Sequence, residues 1–139
     1  MSKRSIDDVS TSTNKLRKTD IPEVTSIEHF KDLINNSNDN SKDYMVFDFY
    51  ATWCPPCRRI GSRLHDLLEA FPSAQFYKVD RDRCMDVHRA CSVQKIPTFI
   101  VYDTSNMNEP IGKLQHSDYD TVHKFLEETM IGNLYDDQF

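Results

Sequence analysis

Two cysteines separated by two prolines, in Trp53-Cys54-Pro55-Pro56-Cys57, carry the strongest chemical signal in the sequence. They follow the apolar and aromatic run Tyr44-Met45-Val46-Phe47-Asp48-Phe49-Tyr50. They precede a segment in which Ile60, Leu64, Leu67, Leu68 and Phe71 fall on one helical stripe. Buried strand, tight turn and helix are the predicted order. Two intervening residues let the sulfurs close a disulfide across the first turn of that helix. The unpaired N–H groups and the positive end of the dipole favour a thiolate on the first cysteine. Cys54 is therefore the expected nucleophile and Cys57 the resolving thiol. Pro55 and Pro56 are tolerated in a first helical turn, where their missing N–H groups would have no intrahelical partner. They also remove two donors, so the N–H of Cys57 should matter more to the Cys54 sulfur.

Asp48 lies inside a strand whose neighbours are all apolar. An ionised carboxylate is costly there, so its pKa should rise toward neutrality and make it a proton acceptor near Cys57. The plainer alternative is a solvated strand face. Cys84 and Cys91 are seven residues apart on a short predicted helix. They share a face but lie too far apart for a direct disulfide while the helix is intact. Structural cysteines are the simpler reading; an exposed, regulatory pair that bridges under oxidant is the other. The spacing of that second pair is too wide for a usual zinc knuckle, and the histidines have no ligand-like spacing, so no metal is expected.

The elements around these residues follow from periodicity. Thr25 and Glu28 have capping-box spacing ahead of Ile27, Phe30, Leu33 and Ile34, which predicts a helix over about 26–35. Gln75 to Val79 and Thr98 to Tyr102 read as strands, Met85 to Cys91 as a short helix, and Ile111 to Gln115 as an edge strand opposite the third. Val122, Phe125, Leu126 and Met130 make a last amphipathic helix. Strands alternating with helices predict an α/β sandwich around a mixed sheet. Residues 1–21 are polar and expected to be a disordered basic extension, 22–131 the folded domain, and 132–139 a short acidic tail.

The chain has 139 residues, 38% hydrophobic and 28% charged, enough for one domain with its own core. No apolar run approaches the roughly 18 residues that a spanning helix needs, so no membrane partner is expected. The N-terminus lacks the apolar stretch of a secretory signal, which points to a reducing cytoplasm. Of the net charge of −5, residues 1–18 contribute +3 and the rest −8. So acidic a body argues against a phosphate-binding surface and hence against nucleic acid as the main partner. Lys3-Arg4 and Lys15-Leu16-Arg17-Lys18 have the spacing of a bipartite nuclear import signal, with a solvated basic tail as the alternative.

Over roughly residues 23 to 130 the sequence resembles the thioredoxin family. The resemblance rests on Val46 to Cys54, on the Cys-x-x-Cys pair, on Lys78-Val79-Asp80 and on Ile96-Pro97-Thr98-Phe99. The stretch Val79 to Phe99, with Cys84 and Cys91, is most similar to cytosolic eukaryotic thioredoxins. The Cys-Pro-Pro-Cys motif is similar to tryparedoxin-like and nucleoredoxin-like members instead. The resemblance implies a thioredoxin fold and a thiol–disulfide oxidoreductase without a bound cofactor, in which Asp48 serves as the base with Lys78 nearby. It implies a cis Ile96-Pro97 bond facing the cysteines, and a substrate-contact surface of Trp53, Tyr50, Pro55, Pro56, Ile96 and Pro97. Implied partners are protein disulfides and, as electron donor, an NADPH-dependent thioredoxin reductase or a small dithiol. A redox-dependent binding or regulatory module with weak turnover is the alternative function. Two departures stand out: Gly61-Ser62 replaces the family's kinking proline, and Gln115, or Gly112 if the alignment slips, stands at the substrate-groove glycine.

Overall fold

A computed structural model describes residues 20–36 and 42–138, with backbone alone for 131–138. The basic extension and its two clusters of Lys and Arg lie outside the described residues, apart from Asp20 and Ile21. In chain order the elements are α1 (Ile27–Asn35), β1 (Tyr44–Tyr50), α2 (Pro55–Gly61), α3 (Leu64–Ala70), β2 (Ala74–Asp80), α4 (Met85–Ala90), β3 (Thr98–Asp103), β4 (Gly112–Gln115) and α5 (Tyr119–Gln138). The strands form one mixed sheet in the order β2-β1-β3-β4. β1 runs parallel to β2 and antiparallel to β3, and β4 is antiparallel to β3.

The alternation of side chains along β1 decides what each face does. Met45, Phe47 and Phe49 point into one core with Val24, Phe30, Val79, Val87, Ile100 and Tyr102. There Phe47 meets the rings of Phe30, Tyr77 and Tyr102 at centroid separations of 5.1, 5.6 and 5.8 Å. Val46 points the other way, into a core built with Ile60, Leu64, Leu67, Phe99, Val101, Val122 and Leu126. Asp48 and Tyr50, two and four residues on, share the face of Val46, toward the helix that carries Cys57. β1 is covered on both sides, as its unbroken apolar run predicts.

The helix after the cysteines is two helices. α2 ends at Gly61, and α3 starts at Leu64. Ser62 N–H donates to Arg58 O, Arg63 N–H donates to Ile60 O, and the Ser62 hydroxyl donates to Arg59 O at 2.8 Å. The tighter turn and the hydroxyl back-bond break the helix where the family's proline is missing, at the Gly-Ser pair. The apolar stripe survives the break: Ile60, Leu64, Leu67 and Phe71 are all buried.

The cap of α1 differs from the capping-box expectation. Ser26 is the N-cap, its hydroxyl accepting from His29 N–H at 3.0 Å. Thr25 instead bonds the His29 ring through its N–H. At the other end, the backbone of α5 stays helical through Gln138, over most of the stretch read as an acidic tail.

Candidate active site

The site starts where β1 ends. Cys54 N–H donates to Ala51 O in the turn, and Cys54 takes an extended conformation, φ −90° and ψ 113°, as the N-cap of α2. Pro55 and Pro56 occupy the first helical positions without an N–H to offer. The first available donor is the amide of Cys57, which points at Cys54 Sγ from 3.3 Å. The capping interaction that a Ser or Asp usually makes is made here by a cysteine sulfur.

Burial does not separate the two cysteines, which are 5% and 4% exposed. Their surroundings do. Burial pushes the Cys57 thiol up to about 12, helped by its hydrogen bond with Cys54. A thiol so reluctant to ionise needs a base to become a nucleophile near neutral pH.

Asp48 is that candidate base. It is 3% exposed, and one of its oxygens, Oδ1, finds no hydrogen-bond partner among the described residues. Burial raises its pKa to about 7, against the opposing pull of Lys78 and with a smaller push from Glu23. Its position in β1 on the face of α2 explains why it both is buried and belongs to the cysteines.

Lys78 lies directly across the parallel ladder from Asp48. Its Nζ sits 4.3 Å from the centroid of the Tyr50 ring, a cation–π contact rather than a snorkel into solvent. Tyr50 is half-buried, and its hydroxyl donates to Glu23 Oε2 at 2.6 Å. A cavity of about 360 Å³ beside Cys57 is lined by Tyr50, Cys57, Gly61 and Lys78 among others. The residue expected on a substrate lip thus also belongs to a polar cluster behind the cysteines. Glu23 was not singled out by its sequence context, which has no charge spacing or periodicity to mark it.

Of the other residues expected at a substrate contact, Trp53 is 58% exposed and its Nε1 donates to Asp82 Oδ2 at 3.0 Å. Ile96 packs against the cluster of Ala51, Cys54 and Cys57, and the Ile96-Pro97 bond is cis, as the resemblance implies. Gln115 pairs with Thr98, the residue after Pro97. A Cβ on Gly112 would meet Phe125 and Thr129 of α5, so Gly112 packs on that helix.

Cys84 and Cys91 do not form an exposed pair. Cys84 is wholly buried before α4, its Sγ donating to Val24 O at 3.3 Å, and Cys91 is half-buried after the helix. Burial pushes both thiols up, Cys91 to about 11. Among the described residues no group of three or more His, Cys, Asp or Glu side chains is arranged to hold a metal ion. Nor is any helix of the described residues long and apolar enough to cross a membrane.

A family model described as Thioredoxin matches residues 21–128. The mitochondrial thioredoxin-3 of Saccharomyces cerevisiae is 37% identical over 83 residues, 60% of this chain and 61% of that protein. Thioredoxin-2 of Pyricularia oryzae is 33% identical over 96 residues, 68% of this chain and 53% of that protein. The chain thus spans little more than half the length of these curated relatives. The crystal structure of oxidised yeast thioredoxin 3 superposes with a TM-score of 0.66 at 32% identity, covering 80% of this chain and 97% of that one. A second structure, from work on thiol resolution in the yeast mitochondrial 1-Cys peroxiredoxin by glutathione and thioredoxin systems, gives 0.66 at 31% identity over the same shares.

Proposed function

The chain belongs to the thioredoxin family, and from that premise we propose that it is a dithiol reductant of protein disulfides. The observation that carries the reading is the Cys57 amide aimed at Cys54 Sγ from 3.3 Å, at a helix start where both preceding residues lack a donor. A negative sulfur is stabilised there by a real N–H and by the helix dipole.

The reaction then has two exchanges. Cys54 thiolate attacks one sulfur of a substrate disulfide; a Cys54–substrate disulfide forms and the other substrate sulfur leaves as a thiolate. Cys57 gives its proton to Asp48 and attacks Cys54 Sγ. The Cys54–Cys57 bond forms, and the remaining substrate sulfur leaves with the electron pair of the bond that breaks. An extended substrate segment would lie against Trp53, Ile96 and Pro97, with Pro55 and Pro56 at the rim. A thiol peroxidase whose oxidised cysteine is held in a disulfide, a relative of the 1-Cys peroxiredoxin named with one solved structure, is one substrate class we include. The oxidised protein is returned to the dithiol by an NADPH-dependent thioredoxin reductase or a small dithiol. We place it in the cytoplasm, with nuclear entry through Lys3-Arg4 and Lys15 to Lys18; a reporter fused to residues 1–21 should enter nuclei, and a cytosolic reporter removes that part.

Insulin reduction with NADPH and thioredoxin reductase, or with glutathione, tests the function. Turnover that disappears in Cys54→Ser supports it. A second reading is favoured by the 58% exposure of Trp53 beside the buried cysteines: a module that holds partners in one redox state. Intact dithiol, no insulin reduction with either donor, and partner binding that changes with oxidation would replace the first reading by this one.

A further inference from the structure

Three charged side chains stand in one row across the sheet. Glu23 pairs with Lys78 in an isolated parallel bridge, and Lys78 pairs with Asp48 in the β1–β2 ladder. Backbone bonds fix the row: Val24 N–H donates to Lys78 O at 2.8 Å and Lys78 N–H donates to Pro22 O at 3.0 Å. Directly paired residues share a face, so Glu23, Lys78 and Asp48 all lie on the side of Cys57. In that register the basic residue stands between the two acidic ones. Each carboxylate has an oxygen, Glu23 Oε1 and Asp48 Oδ1, that is buried with no hydrogen-bond partner among the described residues.

Glu23 is held in place from the active-site side. The Tyr50 hydroxyl donates to Glu23 Oε2 at 2.6 Å while its ring lies 4.3 Å under Lys78 Nζ. Lys78 also borders two cavities, the one that Cys57 and Tyr50 line and another of about 460 Å³ lined by Asp20, Glu23, Gly61, Leu64 and His65. Asp48 is thus faced by Lys78 and Glu23 along the row, by Tyr50 on its own strand and by Cys57 from α2. Asp20 and His65 are the other titratable groups around Lys78.

We propose that Glu23, anchored by Tyr50, is a positioning residue for the release step: it shares Lys78 with Asp48 and so keeps Asp48 basic enough to take the proton of Cys57. This rests on the reductant reading above. An ammonium given wholly to Asp48 would stabilise the carboxylate and make it a weak base. A second anion in reach of the same ammonium divides that stabilisation and adds its own repulsion. The directions agree, Lys78 lowering the pKa of Asp48 and Glu23 raising it. The proton passes from Cys57 Sγ to Asp48 as the Cys54–Cys57 bond forms and the Cys54–substrate bond breaks; Glu23 touches neither.

The test is the titration of the Asp48 carboxyl, followed by carbon NMR in the reduced full chain, with the pH profile of single-turnover mixed-disulfide release alongside. Glu23→Gln keeps the shape and an oxygen for the Tyr50 hydroxyl, so a purely structural role predicts no change. The proposal predicts that the Asp48 midpoint falls by about half to one pH unit, a roughly three- to tenfold weaker base, and that the release profile moves with it. Tyr50→Phe, which frees Glu23, should move both the same way by less. An Asp48 midpoint unmoved in Glu23→Gln overturns the proposal even where insulin reduction persists. Because the titration needs no substrate, a wild type that reduces no disulfide would overturn the reductant reading without altering that measurement.

Discussion

The Cys57 amide donates to Cys54 Sγ across 3.3 Å. On the reductant reading, that one contact separates the roles of two thiols of nearly equal exposure. The sulfur that accepts it has an N–H aimed at it, while burial pushes the other thiol up to about 12. Iodoacetamide at pH 7 should therefore alkylate Cys54 well before Cys57, as peptide mapping after short pulses would read. Faster labelling of Cys57 would reverse the assignment.

Trapping tests the same roles through chemistry. In Cys57→Ser the attack by Cys54 remains and the expelling thiol is gone, so mixed disulfides should accumulate and be released by reductant. The Cys54→Ser, Cys57→Ser double variant should trap nothing. Pull-downs without reductant-sensitive partners in the single variant would count against turnover.

The two prolines, the cysteine spacing and the apolar run of β1 make this site legible in the sequence, because each is a local pattern with one mechanical explanation. Asp48 was legible for the same reason: a lone carboxylate among apolar neighbours in a strand covered on both faces. Glu23 was not. It reaches the site only because its segment pairs with Lys78, 55 residues later in number, a relation no local pattern carries. The break at Ser62 was half legible, as a weak Gly-Ser pair, while the periodic stripe across it argued for one continuous helix. Of the two readings that spacing left open for Cys84, the structural one holds: the side chain is wholly buried and its Sγ donates to Val24 O.

That burial changes what oxidation should do. With Cys84 wholly enclosed and bonded to Val24 O, peroxide should give the wild type and Cys84→Ser the same bands on non-reducing gels. Cys91, half-buried, should be the first of the pair to react. A bridge present in the wild type and lost in Cys84→Ser would restore the regulatory reading.

Two glycines should respond in opposite directions to alanine. At Gly61, the last residue of α2, a Cβ meets nothing within 4 Å. Gly61→Ala should gain up to about 1 kcal/mol from helix propensity and the narrower unfolded ensemble. At Gly112 the same atom meets the Phe125 ring and the Thr129 methyl at 3.0 Å, so Gly112→Ala should lose about 1–3 kcal/mol. Thermal midpoints of the two variants moving the same way would contradict this packing.

Asp48 links the chemistry to stability, and the sign follows from its pKa. The carboxyl rises from 3.8 to about 7 on folding, chiefly by burial. Between those values the folded protein holds a proton that the unfolded chain has released, so this group's effect on stability worsens as pH rises from about 4 to 7 and levels off above. A gap of about three pH units corresponds to roughly 4 kcal/mol at full burial, an upper bound once the site relaxes. Asp48→Asn removes the ionisation and keeps the shape. It should be more stable than wild type at pH 8, by up to that amount, and much closer to it at pH 4 to 5, in parallel urea titrations. The same substitution should slow mixed-disulfide release by about 10- to 100-fold near neutral pH, because Cys57 loses its proton acceptor. A variant that is stabilised equally at both pH values would show that Asp48 ionises as freely in the folded protein as in the unfolded one, and it could then no longer be the base this geometry assigns.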